Sequence, residues 1–262
     1  MNKKLRFIFL GATKYSKVLL LSLIKNGFIP QAIFSIPEMF SISYSDQKVT
    51  NYNYADLKKI AEKNGINFFL INHENGQTIN FYYEEISKMK LDLILALGWY
   101  YMIPSSIREL TTYGSWGIHA SLLPKYAGGA PLTWAIINGE TETGVTLFRM
   151  ADGIDNGDII AQKSFPINFN DTIKEVYEKA TVISKNILIK VLSNIDKISF
   201  TPQDQESIKV YPQRIPSDGE INLNWDSLTI YNFIRAQSSP YPGAFIVTKD
   251  GKKLIIEKAR LE

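Results

Sequence analysis

Apolar and polar positions alternate along the chain in blocks that predict strands followed by helices. A run over residues 5–10, apolar except for Arg6, ends at Gly11, and residues 16–26 then carry leucine, valine and isoleucine at helical spacing. The run over 91–97, apolar at every position except Asp92, is typical of a strand that is buried on both faces. Strands that alternate with helices in this way indicate βαβ units, so we predict an α/β fold with a mostly parallel sheet.

The same patterns divide the rest of the chain. Helices are predicted over 54–64, 78–88 and 131–138, strands over 116–119, 144–150 and 159–167, and a long helix over 171–192 with Asp171 as its N-cap. The pattern breaks into polar residues over 194–210, with Pro202 inside this stretch and Pro212 just after it. We place a boundary there, between an N-terminal domain (1–195) and a small C-terminal domain (196–262). In the C-terminal domain, the sequence predicts a helix over 227–237 and a β-hairpin around Lys249-Asp250-Gly251.

Composition removes several classes of chemistry. The 262 residues include no cysteine and two histidines, which excludes disulfides, cysteine nucleophiles and multi-histidine metal sites. A net charge of +3, spread along the chain, does not argue for an obligate nucleic-acid partner. No apolar run reaches the length of a membrane span, and the first apolar stretch is too short for a secretory signal. A cytoplasmic location without membrane association is therefore expected.

The turn Gly11-Ala12-Thr13-Lys14-Tyr15-Ser16 follows the first strand and opens a helix. Free backbone N–H groups and the helix dipole suit an anion there. The spacing matches neither GxGxxG nor a P-loop. A tight turn with Ser16 as N-cap and a ligand-contacting loop remain equal alternatives.

His119 ends a predicted strand and is followed by a loop, in the segment Gly117-Ile118-His119-Ala120-Ser121-Leu122-Leu123-Pro124. Ligands of open α/β sheets bind outside the carboxyl ends of strands, which favours a functional role. His73 also follows a strand, but it lies in a polar run and is interpreted as a solvated loop residue. The next loop, Lys125 to Pro131, contains paired glycines and is interpreted as a flexible connector or as a lining of the acceptor pocket.

Two further loops carry candidate chemistry. The segment Asp152-Gly153-Ile154-Asp155-Asn156-Gly157-Asp158 holds three carboxylates, and one of them beside the imidazole would orient it and stabilise its charged form. It lacks the glutamate of a calcium loop, and composition does not tell which aspartate acts. The loop over 97–104 is aromatic and suits a flat heteroaromatic ring, or it only caps the core.

Taken together, these motifs resemble a known family. His119-Ala120-Ser121-Leu122-Leu123-Pro124, Gly128-Gly129-Ala130-Pro131, Thr143-Gly144-Val145-Thr146 and Asp155-Asn156-Gly157-Asp158-Ile159-Ile160 resemble, in order and spacing, the 10-formyltetrahydrofolate-dependent formyltransferases. That family includes methionyl-tRNA formyltransferase, glycinamide ribonucleotide transformylase and the sugar-nucleotide N-formyltransferases. The resemblance implies a Rossmann-like formyltransferase fold and a folate-dependent N-formyltransferase with 10-formyltetrahydrofolate as co-substrate and no metal.

The resemblance also implies residue roles. His119 and Asp155 match the catalytic pair, and Gly117 stands where the family commonly has an asparagine that stabilises the oxyanion. Ser121, a water or protonated His119 would then substitute for it. The folate-contacting positions are Gly98, Trp99, Tyr100, Tyr101, Met102, Ile103, Met150, Ala151, Asp152 and Ile154, and the weaker acceptor assignments are Thr13, Lys14, Tyr15, Ser16 and Lys125.

The short C-terminal part resembles that of the sugar-nucleotide enzymes. It implies a nucleotide-linked amino sugar as acceptor, specifically a dTDP-4-amino-4,6-dideoxyhexose used for surface polysaccharide such as O-antigen and lipopolysaccharide, and a homodimer. Three alternatives stay open: a methionyl-tRNA formyltransferase, a binding relative weakened by Gly117, and hydrolysis of the formyl group by water.

Overall fold

A computed structural model describes residues 5–41, 48–51, 53–72 and 78–262. His73 lies outside the described residues, as does part of the predicted loop over 37–54. The chain divides into two compact units. Unit 1 comprises residues 1–118 and 149–152, and unit 2 comprises residues 119–148 and 153–262. Across the described ranges, no helix is both long and apolar enough to cross a bilayer.

Unit 1 contains a parallel sheet flanked by helices, as the alternating pattern predicts. Its elements are β1 (Phe7–Leu10), α1 (Lys14–Lys25), β2 (Ala32–Ser35), β3 (Met39–Phe40), β4 (Val49–Thr50), α2 (Lys58–Asn64), β5 (Asn67–Leu70), α3 (Tyr83–Lys88), β6 (Leu93–Ala96), α4 (Ser105–Arg108) and β7 (Ser115–His119). Five strands run parallel in the order β7-β6-β1-β2-β5. The residues of the central strands β1 and β6 are buried, so their side chains supply the core on both faces.

Unit 2 contains an antiparallel strand pair, three helices and a C-terminal hairpin. Its elements are β8 (Ala127–Gly128), α5 (Pro131–Ile137), β9 (Glu142–Arg149), β10 (Ile159–Pro166), α6 (Ile173–Leu192), β11 (Val210–Tyr211), α7 (Ser227–Gln237), β12 (Ala244–Val247) and β13 (Lys253–Ile256). β9 pairs with β10, and β12 pairs with β13 around the predicted turn, where Gly251 adopts φ +76°. The predicted α/β fold with a mostly parallel sheet and a small C-terminal hairpin is confirmed.

Several predicted helix starts were wrong by a few residues. The helix predicted over 54–64 begins at Lys58, and the first turn of the one predicted over 78–88 is a 3₁₀ helix, Ile79–Tyr82. Thr172, and not Asp171, is the N-cap of α6, because its side chain forms a capping box with Glu175.

Asp171 instead forms an ion pair inside unit 2. Its carboxylate accepts from the Asn168 N–H at 2.7 Å and lies 2.5 Å from the Lys179 ammonium. Its main-chain carbonyl accepts from the buried Arg235 guanidinium at 2.8 Å. Burial opposes ionisation of the Asp171 carboxyl, but the Lys179 and Asn168 donors together hold its pKa below the usual value.

The lowered pKa predicts a pH-dependent contribution to stability. We expect Asp171→Asn to reduce the free energy of unfolding at pH 7 by about 1.5–3 kcal/mol, the range for hydrogen bonds to charged groups. The loss should shrink as the pH falls through the carboxyl range near ~4 and below, because the wild-type carboxylate is then protonated as well. Urea unfolding at pH 7 and pH 3, with a Lys179→Met double-mutant cycle, measures this. An equal loss at both pH values would contradict it.

Candidate functional site

The imidazole of His119 is fixed at the end of β7. Its side chain is 9% exposed, and Nε2 lies 2.7 Å from the main-chain carbonyl oxygen of Tyr126. A carbonyl oxygen can only accept, and 2.7 Å is too short for a ring C–H contact, so Nε2 carries a hydrogen and donates it. This bond leaves Nδ1 as the second polar atom of the ring.

Asp155 lies against that second nitrogen. Its carboxylate oxygen Oδ2 is 3.3 Å from His119 Nδ1 and also accepts from the Gly128 N–H at 2.8 Å. The Asp155 backbone has φ +49°, in the left-handed region that L-residues adopt only at a cost. Among the three aspartates between which composition did not decide, Asp155 is the one that the structure brings to the imidazole.

The two contacts of the ring determine where a proton lies. With Nε2 protonated, a neutral ring would direct the Nδ1 lone pair at a carboxylate, which is repulsive. The geometry is satisfied when one additional proton lies between Nδ1 and Oδ2, giving either an imidazolium beside a carboxylate or a neutral ring beside a carboxylic acid. One proton can therefore be shared between the His119 and Asp155 side chains.

Hydrogen bonds fix the loop between His119 and Tyr126. The Ser121 hydroxyl donates to the Lys125 carbonyl at 2.6 Å, and the Ser121 carbonyl accepts from Thr146 at 2.7 Å. Gln162 donates to both Thr146 Oγ1 and the Leu123 carbonyl. These bonds stabilise the loop whose Tyr126 carbonyl orients the imidazole.

The Tyr126 hydroxyl is fixed by two hydrogen bonds and stays protonated. Its hydroxyl donates to a Glu140 carboxylate oxygen at 2.7 Å and accepts from the Asn138 amide at 3.2 Å. Burial, together with the Glu140 carboxylate, raises the pKa of Tyr126. The Tyr126 hydroxyl therefore remains a hydrogen-bond donor at any physiological pH. Its bonds help to hold the Tyr126 backbone, whose φ is +59°.

The glycines after Tyr126 are closely packed, so the prediction of a flexible connector was wrong. β8 pairs in parallel with β11, and a Cβ on Gly128 would lie 2.4 Å from the Tyr211 carbonyl oxygen. A Cβ on Gly129 would lie 2.4 Å from Gln213 Cα. Glycine is needed here for close backbone approach, not for mobility. Lys125, an expected acceptor contact, is exposed on the preceding loop.

The aromatic loop over 97–104 belongs to unit 1. Trp99 and Tyr101 pack against the apolar core there, and the Tyr100 hydroxyl donates to Asn51 at 3.0 Å. Among the described residues, the buried Trp99 Nε1 has no hydrogen-bond partner. Met150 in unit 1 is half-buried against the apolar core, and Met102, Ala151 and Asp152 of the same unit are exposed. Ile154 is an exposed residue of unit 2.

The polar groups in the turn at the start of α1 form hydrogen bonds with other parts of unit 1. Thr13, and not Ser16, is the N-cap, and the two side chains form a capping box. The Ser16 hydroxyl donates to the Leu97 carbonyl at 2.5 Å, and the Lys14 N–H donates to Asn53 at 2.6 Å. The hydroxyl groups of Thr13 and Ser16 are thus already used in hydrogen bonds that support the aromatic loop. Lys14 is exposed and Tyr15 is half-buried.

Gly98, the second residue of the aromatic loop, allows a test of this support. Its φ is +69°, and a Cβ would lie 2.4 Å from Thr13 Oγ1 and 2.5 Å from Ser16 Oγ. We expect Gly98→Ala to cost more than the roughly 1–2 kcal/mol of left-handed strain alone. Gly65→Ala is the matched control, because Gly65 has φ +64° and nothing within 4 Å of the added Cβ. Equal losses in urea unfolding would contradict the clash.

Gly117 lies buried in β7, in register with Ala96 of β6. Without a side chain, Gly117 offers only backbone groups at this position. In the described part of the chain, no three histidine or carboxylate side chains are grouped as a metal ion would require.

Comparisons with known proteins match these features. A family model described as "Formyl transferase" matches residues 43–192, and one described as "Formyl transferase, C-terminal domain" matches residues 214–262. The bifunctional polymyxin resistance protein ArnA of Wigglesworthia glossinidia brevipalpis is 38% identical over 211 residues. The match covers 79% of this chain but only 32% of the length of ArnA. The methionyl-tRNA formyltransferase of Thermodesulfovibrio yellowstonii is 31% identical over 97% of this chain and 80% of its own length.

A solved structure is also similar. The N-formyltransferase of Helicobacter canadensis, in complex with folinic acid and dTDP-3-aminofucose, is 26% identical, with a TM-score of 0.66. The match covers 88% of this chain and 80% of that one.

Proposed function

The chain belongs to the formyl transferase family, and on that premise we propose that it transfers the formyl group of 10-formyltetrahydrofolate to the amino group of a nucleotide-linked sugar. The observation that carries the proposal is the contact of His119 Nδ1 with Asp155 Oδ2 at 3.3 Å. The enzyme is a folate-dependent formyltransferase. The acceptor and the residue roles are the proposed part.

The proposed chemistry uses the proton held between His119 and Asp155. The acceptor amine forms a bond to the formyl carbon, and the carbonyl electron pair moves onto oxygen. The proton of the His119–Asp155 pair stabilises that oxyanion. The pair then accepts a proton from the attacking nitrogen and delivers one to N10 of the folate as the carbon–N10 bond breaks. One proton leaves the amine and one reaches N10, so the enzyme ends unchanged.

Because Gly117 has no side chain, another group must stabilise the oxyanion. An asparagine amide at this position would donate to the oxyanion, and one such donor contributes about 2.7–4 kcal/mol to the rate in another enzyme class. Ser121 donates its hydroxyl hydrogen to the Lys125 carbonyl, and both ring nitrogens of His119 also have partners. Either group must therefore exchange a hydrogen bond when the oxyanion forms, and we propose that the His119–Asp155 pair does so with its shared proton.

The folate-contacting assignments remain proposals. The aromatic loop 97–104 presents a fixed backbone and the unpartnered Trp99 Nε1, features that suit a flat heterocycle with polar edges. Met150, Ala151, Asp152 and Ile154 are proposed to contact the same co-substrate. For the acceptor, we retain Lys14, Tyr15 and Lys125, and we assign Thr13 and Ser16 a supporting role.

A sugar acceptor is favoured over tRNA by charge. Residues 211–262 carry seven Lys or Arg and six Asp or Glu, a net charge of +1, whereas tRNA binding depends on many phosphate contacts. The similar Helicobacter canadensis enzyme was crystallised with dTDP-3-aminofucose. We propose a dTDP-linked amino-dideoxyhexose, first of all the 4-amino sugar, destined for surface polysaccharide, and a homodimeric cytoplasmic enzyme. Methionyl-tRNA formylation is the alternative, supported by the Thermodesulfovibrio relative.

Incubation with acceptors tests the proposal. The purified protein is mixed with 10-formyltetrahydrofolate and, separately, with a dTDP-4-amino sugar, a dTDP-3-amino sugar, initiator methionyl-tRNA or buffer. Formyl transfer to a dTDP-amino sugar is expected. Formylation of the tRNA alone would overturn the sugar assignment, and folate turnover in buffer would indicate hydrolysis. Binding of both ligands without turnover would indicate a relative that has lost catalysis.

A further inference from the structure

The loop that carries Asp155 is held from behind by glutamine side chains. The Gln203 amide donates to the Asp155 carbonyl at 2.7 Å and to the Gly157 carbonyl at 2.6 Å. Both of its N–H bonds are therefore used on this one loop. Gln205 donates to the carbonyl between them, that of Asn156, at a longer 3.1 Å.

Main-chain pairing sets the register of these contacts. The Ile159 N–H donates to the Thr201 carbonyl at 2.8 Å, and the Thr201 N–H donates back at 2.9 Å. Gln203 follows two residues later and is 6% exposed, whereas Gln205 is exposed. Only Gln203 is thus anchored, buried and in contact with the backbone of Asp155 itself.

The conformation of Asp155 explains why such a contact is required. A non-glycine residue at φ +49° reverts to a more favourable region unless its surroundings hold it. A reverted backbone would rotate the carboxylate away from His119 Nδ1 and from the Gly128 N–H. The bond from Gln203 to the Asp155 carbonyl opposes that rotation.

We propose that Gln203 is a positioning residue that keeps the Asp155 carboxylate on His119. It touches neither the imidazole nor the carboxylate, and it acts through the Asp155 backbone. This inference rests on the proposed function, because it concerns the same catalytic pair.

The first test observes the imidazole directly and needs no substrate. The ring ¹⁵N resonances of His119 are readily assigned, because His73 is the only other histidine. Gln203→Met keeps the side-chain length and removes both donors, and Gln205→Met is the matched control. We expect Gln203→Met to move the Nδ1 resonance toward its value in Asp155→Asn, and Gln205→Met to leave it near the wild-type value. A wild-type spectrum for folded Gln203→Met would overturn the proposal.

A second variant guards against misfolding of the first. Gln203→Asn retains a buried amide but is one methylene too short to reach both carbonyls. It should show the same displacement of the Nδ1 resonance, and unchanged ring resonances in this variant would also overturn the proposal.

The second test measures kcat and KM in the transfer assay. Gln203→Met should lower kcat at least tenfold with both KM values within twofold, and Gln205→Met should lower kcat less than threefold. In an Asp155→Asn background, Gln203→Met should have no further effect, whereas a repeated tenfold loss would mean that Gln203 acts independently of Asp155. Full activity in Asp155→Asn would refute the proposed catalytic pair, and the ring resonances would still decide the role of Gln203.

Discussion

Replacing His119 by asparagine is expected to lower kcat for formyl transfer by about 10²–10⁴-fold, the range typical of a general acid–base group. The asparagine amide matches Cγ and Nδ1 of the ring and is too short to replace the Nε2 contact with the Tyr126 carbonyl, so the variant's fold is checked separately. Its amide can still donate to Asp155, but it cannot take up and release a proton. Steady-state kinetics with saturating folate and acceptor measure the effect, and both KM values should change little.

His73→Asn is the control for this change, because His73 is the only other histidine in the sequence. It should retain wild-type kinetics. Unchanged kcat in His119→Asn, with an unchanged circular dichroism spectrum, would remove the imidazole from the mechanism.

Replacing Asp155 by asparagine should lower kcat by about 10²-fold or more, because a neutral amide cannot hold the shared proton against His119 Nδ1. Asparagine is the informative substitution, since it tolerates the left-handed conformation of φ +49° better than most residues. Its amide oxygen can still accept from the Gly128 N–H. The backbone is therefore retained, and the loss reports the charge and the proton.

Asp158→Asn is the matched control, in the same loop and with the same loss of one charge. It should change kcat less than twofold, because the carboxylate found against the imidazole is that of Asp155. Comparable losses in the two variants would indicate a general effect of loop charge instead of a specific pair.

The alternation of apolar strands and helices was sufficient to predict the parallel sheet, because each buried strand carries its own signal. Helix starts depended on side chains competing for the same cap. Thr172 and Glu175 fit the capping-box spacing, a signal that was available and outweighed by the preference for Asp171. Thr13 and Ser16 form the same motif with serine in place of the usual glutamate or glutamine, so the sequence signal for the start of α1 was weaker.

The support of the candidate site was much less accessible from the sequence. Gln203 contacts a carbonyl 48 positions away, and the pairing of Ala127 with Val210 involves only two residues on each strand. Neither leaves a periodic pattern, because both depend on main-chain groups that every residue possesses. Resemblance identified His119 and Asp155, but it carried no information on what holds them.

The pairing of β8 with β11 has a consequence for how the protein is made. Val210 follows Ala127 by 83 positions, so a ribosome adding roughly 5–20 residues per second emits the histidine loop on the order of 4–17 s before its partner strand. During that interval, the nascent chain carries the histidine loop without the segment that packs against Gly128 and Gly129. The packing around these two glycines is thus completed late in translation, well after the first βαβ units have emerged.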